Sequence, residues 1–454
     1  MVKKNDELEV YIEDMLFPNI GITHVDDKKV KIKGGLKGQT VKIRISKKKS
    51  DKIEAKIIEV LKPSDMEIPK QCVHFGECGG CTYQNLSYES QLKLKESQVK
   101  SIIDEVIDDY KFLPIVESPS SVEYRNKMEF SFGDLEKGGE LSLGMHKKGS
   151  FYEVVTVNGC KIIDEDFKNV LLCVLDFFKD KDLTYYRTRT HEGYLRHLVV
   201  RKAFATGEML INLVTTSQKE VDLTELVDNL TSLKLSGKIN GILHTVNDTL
   251  SDVVKVDELR LLYGKDYIEE NLLGLKFKIS PFSFFQTNSK GAELLYSVVR
   301  EFAGDISGKE VFDLYSGTGT IAQIMAPVAK KVYGIEIVEE AVEAARKNAK
   351  LNNLDNCYFI AGDVLKEIEN LKGQKPDLII LDPPREGIHP KAIYKIINFR
   401  CKEIVYVSCK PTSLAKDLEV FKENGYKVEK VQCVDMFPYT AHVETVVKMS
   451  RIDK

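Results

Sequence analysis

The first 62 residues alternate apolar and polar positions in short runs that are separated by glycine turns. Four of these runs cover residues 8–12, 29–32, 40–45 and 53–60. Alternation with a period of two is typical of strands that bury one face. The pattern predicts a small OB-like β-barrel over residues 1–62, a fold that commonly binds oligonucleotides.

The middle of the chain, residues 63–280, mixes two kinds of apolar spacing. Helical spacing covers about 87–109 and 166–179, whereas β-rich runs include 127–132 and 195–201. This mixture predicts a central α+β domain.

From residue 281 onward, short apolar runs alternate regularly with helical segments. The runs at 311–315, 331–335, 377–381 and 403–407 are β-branched and largely uncharged. Such runs suit strands that are buried on both faces of a parallel sheet. Residues 281–454 are therefore expected to form a Rossmann-like α/β domain with its ligand site at the carboxyl ends of the strands.

Composition adds an expected partner and an expected location. Apolar residues make up 43% of the 454 positions and charged residues 30%, which is ordinary for a globular protein of several domains. No run approaches the roughly 18 apolar residues of a membrane span, and the N-terminus does not resemble a signal peptide, so a cytoplasmic protein is expected. Residues 28–62 hold thirteen Lys or Arg against three acids. This excess favours a polyanionic partner, although a solubilising surface is the alternative.

Two glycines follow the first C-terminal run. Gly317 and Gly319 occupy a strand-to-helix turn, where the lack of a Cβ lets the backbone approach a ligand. Glu336 ends the next run, where a carboxylate can hold a ribose diol. No third glycine completes the dinucleotide pattern, which favours S-adenosylmethionine (SAM) over NAD. Asp363 follows a further apolar run at 357–362 and is expected either to bind adenine or to cap the following helix.

Candidate reacting residues end the last two of these runs. Two prolines fix the backbone after Asp382 and hold it in the cleft. Arg385 stands where amino-methyltransferases have an aromatic residue, which argues against an exocyclic amine as the target. Cys409 lies beside Lys410, and we expect an exposed thiol in an electropositive setting that favours the thiolate. The alternative is a buried thiol that only fills space.

A base is expected near the C-terminus. His442 and Glu444 are two positions apart in a β-like run, which places them on the same face of a strand. Either one could remove a proton.

Six segments together carry a family resemblance. They are Phe-Phe-Gln-Thr-Asn at 284–288, Asp-Leu-Tyr-Ser-Gly-Thr-Gly at 313–319, Gly-Ile-Glu at 334–336, Asp-Pro-Pro-Arg at 382–385, Ser-Cys-Lys-Pro at 408–411 and His-Val-Glu-Thr at 442–445. In this order they resemble the bacterial RNA uracil-C5 methyltransferases, which are class I SAM-dependent enzymes. The resemblance covers essentially the whole chain, because the basic N-terminal barrel resembles that family's TRAM domain.

The resemblance implies a covalent mechanism. Cys409 would add to C6 of uracil so that C5 becomes nucleophilic, and Glu444 would remove the C5 proton after methylation. The positions that match the family's SAM-binding residues are Gln286, Tyr315, Glu336, Asp363 and Asp382, with Thr320 less closely matched.

The resemblance also implies contacts with RNA. A base in a helix or folded loop must flip out of its stack to reach the cleft. Phe284 and Phe285 are candidates to stack on bases, with a core position as the alternative. Arg125 and the pair Arg196 and His197 resemble positions along the RNA path.

A cysteine cluster lies within the central domain, which is expected to bind RNA. Cys72, Cys78 and Cys81, with Cys160 further along, provide four soft ligands for a [4Fe–4S] cluster or a structural zinc ion. Three of these cysteines lie close together and the fourth lies far along the chain, whereas zinc sites usually have two closely spaced pairs. This spacing and the resemblance favour an iron–sulfur cluster. The remaining cysteines are interpreted as core or incidental.

The target nucleotide stays open. A TRAM-like barrel together with the cluster cysteines favours 23S ribosomal RNA, and position 54 of transfer RNA is the alternative. An RNA cytosine-C5 methyltransferase would generally carry a second cysteine in a Pro-Cys segment, which the 382–385 segment does not contain. A catalytically silent RNA-binding protein is a further alternative. We expect a monomer that binds neither DNA nor membranes.

Overall fold

The computed structural model describes residues 2–49, 52–251, 254, 256–371 and 375–452. Six strands form the N-terminal sheet, in the order β1-β5-β6-β4-β3-β2. They are β1 (Glu7–Tyr11), β2 (Asp14–Leu16), β3 (Ile20–Val25), β4 (Lys28–Lys33), β5 (Thr40–Lys49) and β6 (Lys52–Lys62).

The N-terminal sheet curls strongly. Its two edge strands, β1 and β2, are separated in the chain only by Ile12 and Glu13. The three Cα–Cα steps from Tyr11 to Asp14 span at most about 11 Å, so the sheet must curl until its edges approach each other. Ile12, Val30 and Ile43 are buried inside the curl in a separate apolar cluster.

The next part of the chain contains a seven-stranded sheet, in the order β10-β9-β8-β11-β12-β13-β14. The elements from residue 88 to 279 are α1 (Tyr88–Asp104), β7 (Lys111–Val116), β8 (Lys127–Asp134), β9 (Leu141–His146), β10 (Val154–Val155), α2 (Glu165–Lys179), β11 (Leu195–Lys202), β12 (Glu208–Thr215), α3 (Thr224–Thr231), β13 (Lys238–Val246), β14 (Glu258–Gly264), β15 (Ile268–Leu272) and β16 (Leu275–Ile279).

An eight-stranded sheet, in the order β19-β18-β17-β20-β21-β23-β22-β7, occupies the C-terminal part. Its remaining elements are α4 (Ser289–Ala303), β17 (Glu310–Leu314), α5 (Thr320–Met325), β18 (Lys331–Glu336), α6 (Glu339–Leu351), β19 (Cys357–Ala361), α7 (Val364–Asn370), β20 (Leu378–Leu381), α8 (Pro390–Asn398), β21 (Glu403–Ser408), α9 (Pro411–Glu423), β22 (Tyr426–Val434) and β23 (Glu444–Arg451).

Both faces of the eight-stranded sheet are covered, as its uncharged strands predict. In β20, Leu378 and Ile380 belong to one apolar cluster, whereas Ile379 and Leu381 belong to the other. This split follows from the strand period of two. Strands β17 to β21 are parallel to one another, and only β23 runs antiparallel to its neighbours.

The packing does not follow the division expected at residue 280. Strand β7, which was assigned by sequence to the central domain, pairs in parallel with β22 at the edge of the C-terminal sheet. The hairpin of β15 and β16 packs on α6, where the backbone N–H of Lys278 donates to Asn348 Oδ1 at 2.9 Å. These pairings join segments that are far apart in the chain, and local spacing carries no sign of them. Within the described ranges, no helix is both long and apolar enough to cross a membrane.

Candidate active site

A cavity of about 1410 Å³ opens at the carboxyl ends of the parallel strands. This is the edge at which a doubly wound sheet binds its ligand. The structure brings nine of the predicted site residues into its lining, namely Gln286, Tyr315, Gly317, Thr320, Glu336, Asp363, Asp382, Cys409 and Glu444.

The reversed direction of β23 explains why Cys409 and Glu444 meet. Ser408, the last residue of β21, pairs with Thr445 of β23. Cys409 therefore follows the end of one strand while Glu444 begins the adjacent antiparallel strand, and both lie at the cavity edge. The Glu444 side chain is buried, whereas His442, the other candidate base, is exposed at the rim.

Three carboxyl groups share the floor of the cavity. Burial raises the pKa of Asp382 to about 7. Burial and then the charge of Asp382 raise the pKa of Glu444 to about 8. Asp313 also has its pKa raised to about 8 by burial and by Asp382, although its Oδ2 accepts a hydrogen bond from the Ala322 N–H at 2.9 Å. Carboxyl groups with such pKa values can exchange protons near neutral pH.

The electropositive setting predicted for Cys409 is wrong. Burial, followed by the charges of Glu444 and Asp382, raises the pKa of the thiol to about 11. Arg385 opposes this rise through its charge and a hydrogen bond, while the neighbouring Lys410 is exposed. With this pKa the thiol carries its proton at neutral pH, first because it is buried and then because of the two carboxyl charges.

Backbone donors orient the carboxylate of Glu336. The N–H groups of Gly317 and Val338 donate to its two oxygens at 3.0 and 2.9 Å. Gly317 has a φ of 54°, and a Cβ built on it would meet nothing within 4 Å. Positive φ explains this glycine, and the space beside it is open for a ligand.

Gly319 has a different role from the one predicted. It is not among the cavity-lining residues, and a Cβ built on it would lie 2.3 Å from the Phe359 ring. Its φ is 71°. Close packing and backbone conformation therefore account for this glycine, because its hydrogen faces the core rather than a ligand.

Asp363 caps helix α7 and also lines the cavity. Its Oδ1 accepts a hydrogen bond from the Leu365 N–H at 2.9 Å, at the start of α7. The carboxylate also lines the cavity and contributes, after burial, to the raised pKa of Tyr315. Capping α7 thus holds the side chain at the cavity wall.

Tyr296 is a cavity residue that sequence reasoning missed. It lies in α4, is almost completely buried and is hydrogen-bonded to Gln286. Its hydroxyl is close enough to Asp382 and Glu444 for their charges to raise its pKa, after burial. An aromatic residue within an amphipathic helix resembles an ordinary core residue, so no signal in the sequence distinguishes it.

The predicted RNA-contact residues divide into lining and structural residues. Phe284 and Phe285 both belong to the cavity lining, but Phe284 is 67% exposed, whereas Phe285 is 6% exposed and packs on Phe277. Arg125 also lines the cavity.

Arg196 and His197 were predicted on the RNA path, but both are buried. Arg196 Nη1 donates to the carbonyl oxygens of Asn247 and Thr249 at 2.8 and 2.7 Å. Arg196 therefore holds the 247–249 turn rather than a phosphate.

The four cluster cysteines come together beside the cavity. Burial raises the pKa of Cys78 to about 11 and of Cys81 to about 12, and the charges of the other cysteines add to both shifts. The Gly80 N–H donates to Cys78 Sγ at 3.3 Å, and Gly80 itself lines the cavity. In the described part of the chain, no three His, Cys, Asp or Glu side chains are arranged as they stand to hold a metal ion.

The fold and the cavity define a class of protein. A parallel sheet with one reversed strand, a glycine turn after β17 and an acid at the end of β18 are the features of a SAM-dependent methyltransferase. Residues 87–452 match the family described as tRNA (uracil-5-)-methyltransferase. The chain belongs to this family, whose members are SAM-dependent RNA uracil-C5 methyltransferases.

Similar proteins match over the full length. An uncharacterized RNA methyltransferase of Clostridium tetani is 56% identical over 453 residues, which cover 100% of this chain and 99% of that protein. Another, from Clostridium acetobutylicum, is 54% identical and covers 99% of both chains. The structure of Pyrococcus abyssi tRNA (uracil-54, C5)-methyltransferase in complex with S-adenosyl-L-homocysteine has a TM-score of 0.76 and 25% identity. That match covers 97% of this chain and 100% of the Pyrococcus chain.

Proposed function

We propose that this protein methylates C5 of a uridine in 23S ribosomal RNA, with Cys409 as the covalent nucleophile and Glu444 as the base. The observation that carries the proposal is the placement of both side chains in one cavity, at adjacent ends of β21 and β23. A thiol and a carboxyl group so placed can act on the two neighbouring carbons of one pyrimidine ring.

Cys409 begins the reaction by adding to C6 of the uracil. Its thiol must first lose a proton, which the Asp382 carboxylate can accept, so that Glu444 stays unprotonated for the later step. The new S–C6 bond moves the C5–C6 electron pair towards C5 and O4, which makes C5 nucleophilic. Arg385, hydrogen-bonded to Cys409, stabilises the thiolate as it forms.

Glu444 completes the reaction by removing the proton from C5. When bound, SAM supplies an electrophilic methyl group for C5. The C5–H electron pair then restores the C5–C6 double bond, the S–C6 bond breaks, and Cys409 leaves as the thiolate. The burial of Glu444 favours this role because a carboxyl group with a pKa near 8 is a stronger base than an exposed one.

The residues proposed to bind SAM lie around the cavity in an order that matches the parts of the SAM molecule. Glu336, whose oxygens are fixed by two N–H groups, would hold the ribose diol, and Asp363 would accept from the adenine amino group. Gln286 and Asp382 would hold the amino-acid end, close to Tyr296. The cavity offers several carboxylates, and its wall at Gly317 exposes backbone with no side chain above it. Both features suit a positively charged nucleoside such as SAM.

The choice of ribosomal RNA rests on two features outside this cavity. The curled N-terminal sheet, which we propose to be a TRAM-type RNA-binding barrel, carries the lysine-rich strands β4 to β6. The four cluster cysteines are the second feature. Position 54 of transfer RNA is the competing target, favoured by the full-length similarity to the Pyrococcus abyssi enzyme.

Labelled SAM and unmodified RNA test the proposal directly. The purified protein is incubated with separate ribosomal and transfer RNA fractions from cells that lack uracil-C5 methylation, and the labelled nucleotide is mapped by mass spectrometry. We expect 5-methyluridine in 23S RNA. Label confined to transfer RNA would move the proposal to position 54, and label on cytidine or adenosine would refute it.

We also propose that Cys72, Cys78, Cys81 and Cys160 ligate a [4Fe–4S] cluster. Four buried or partly buried thiols with an N–H···S hydrogen bond suit such a cluster, because such a donor stabilises its charge. Anaerobic purification should yield about four irons and four sulfides per chain, as such a cluster contains. Cys81→Ser should abolish binding while the matched change Cys173→Ser, outside the cluster, should not. Stoichiometric zinc in place of iron would contradict the proposal.

A further inference from the structure

The turn between β9 and β10 exposes two adjacent aromatic side chains. Phe151 is 87% exposed and Tyr152 is 64% exposed. Phe151 is the most exposed large hydrophobic side chain within the described ranges. A single exposed apolar residue needs no explanation, but two neighbouring aromatic rings held in water on a tight turn are a common feature of recognition surfaces.

The turn is well ordered by its own hydrogen bonds. Ser150 Oγ accepts from the N–H groups of Tyr152 and Glu153 at 3.3 and 3.2 Å. The Lys147 N–H donates to the Glu153 carbonyl oxygen at 2.8 Å, and the two side chains form an ion pair at 3.0 Å. The rings therefore project from a fixed support, which lowers the entropy lost when they bind a partner.

The turn lies beside the mouth of the catalytic cavity. The N–H of Lys148 donates to the Glu77 carbonyl oxygen at 2.6 Å, and the Gly79 N–H donates to the His146 carbonyl oxygen at 3.0 Å. A Cβ built on Gly79 would lie 3.8 Å from the Lys148 Cα. Because Gly80, the next residue, lines the cavity, the turn contacts a segment that forms part of the cavity edge.

We propose that the 147–153 turn is an RNA-contact site in which Phe151 and Tyr152 stack on unpaired nucleotides next to the target uridine. This inference rests on the proposed RNA methylation. When the target base leaves its stack to enter the cavity, its neighbours lose a stacking partner. Aromatic rings at the rim can replace that partner for any base, since every base has a π face.

The charges around the turn contribute little to RNA binding, which leaves the two aromatic rings as its main source. Lys147 already pairs with Glu153, and Glu77 lies close enough to raise the pKa of Lys147 further, after the contributions of Glu153. With Lys148, whose backbone contacts Glu77, the turn has two positive and two negative groups, which largely offset each other. Binding at this turn should depend on stacking and should vary little with salt, in contrast to binding by the lysine-rich N-terminal sheet.

The test compares two double variants with a matched control. Phe151→Ala/Tyr152→Ala should raise the KM for the RNA fraction that wild type labels by about tenfold or more. The kcat at saturating RNA and the SAM affinity should be unchanged, and the KM ratio should be the same at low and high salt. Phe151→Tyr/Tyr152→Phe should restore the wild-type KM, because it keeps both rings.

Tyr263→Ala is the control, because Tyr263 is 45% exposed on β14, at the opposite edge of the seven-stranded sheet from β10. It should leave the KM unchanged. An unchanged KM in the alanine double variant would overturn the inference, as would an equal rise in the control. Failure of the wild type itself to label RNA would instead refute the proposed function, so the two failures are distinguishable.

Discussion

Lys95 and Asp435 form an ion pair that is almost completely excluded from water. Their side chains are 1% and 0% exposed, and Lys95 Nζ lies 2.7 Å from Asp435 Oδ1. Lys95 also donates to the carbonyl oxygen of Phe437 at 3.1 Å. Helix α1 thus anchors the segment that leads into β23 and Glu444.

Breaking this ion pair should be costly. Lys95→Met leaves a buried carboxylate without its partner, and we expect the free energy of unfolding to fall by about 3–5 kcal/mol. The double variant Lys95→Met/Asp435→Leu removes both charges and should recover much of that loss. Urea denaturation of the three proteins measures the effect, and a loss below about 1 kcal/mol in the single variant would contradict it.

The covalent mechanism predicts that in one variant the reaction stops after methylation. Glu444→Gln should accumulate a protein–RNA adduct that resists denaturation, because addition and methylation can proceed while proton removal from C5 cannot. Gel electrophoresis with labelled RNA detects the adduct.

Cys409→Ala provides the control for the adduct. It should form none, alone or combined with Glu444→Gln, and should lower kcat by at least about a thousandfold. An adduct that persists without the Cys409 thiol would assign the nucleophile to another residue.

Activity should increase with pH through the titration of Glu444. Burial and the charge of Asp382 raise the pKa of Glu444 to about 8, and the base must be deprotonated to act. We therefore expect kcat/KM to rise between pH 6 and 8, by up to about tenfold per pH unit, and to rise less steeply above that range. A pH-rate series at constant ionic strength measures this, and a constant kcat/KM from pH 6 to 9 would contradict the assignment.

Asp313 should make the fold less stable at high pH. Its pKa of about 8 exceeds the ordinary value of 3.8, so the stability linked to its proton is present at low pH and is lost as the pH rises through about 8. Asp313→Asn keeps an acceptor for the Ala322 N–H without a charge. We expect it to be more stable than wild type at pH 9 by at least about 1 kcal/mol, with a smaller difference at pH 5. Urea titrations at the two pH values decide this.

The two glycines of the cofactor turn should respond differently to alanine. At Gly319 a Cβ would meet the Phe359 ring, whereas at Gly317 the space is open. Both have positive φ, which costs about 1 kcal/mol for alanine. Gly319→Ala should therefore unfold at a clearly lower temperature than Gly317→Ala. Thermal melts of the two variants without SAM provide the comparison, and equal melting temperatures would contradict it.

Much of the C-terminal sheet could be predicted because a buried parallel strand has a local signature. The apolar run at 377–381 became β20, and the run at 331–335 became β18. The turn and strand-end residues were predictable for the same reason, since parallel strands bring their carboxyl ends to one edge.

The electrostatics of the site depend on long-range packing and could not be predicted. Lys410 is adjacent to Cys409 in sequence, but burial of the thiol, followed by the charges of Glu444 and Asp382, raises the pKa of Cys409. Burial also distinguishes Arg196, which holds a turn, from Arg125, which lines the cavity. A local sequence pattern gives no information about either difference.

The pairing of β7 with β22 can form only late in the synthesis of the chain. Gln432 Nε2 of β22 donates to the carbonyl oxygen of Pro114 in β7, 318 residues earlier in the chain. Because synthesis runs from the N-terminus, β7 emerges early and cannot reach its partner until nearly the whole chain exists. Contacts between such distant segments form slowly and leave strand edges open to aggregation in the meantime. A fragment that began at residue 281 would keep β22 as a permanently open edge, so the catalytic sheet depends on a part of the chain made long before its active-site residues.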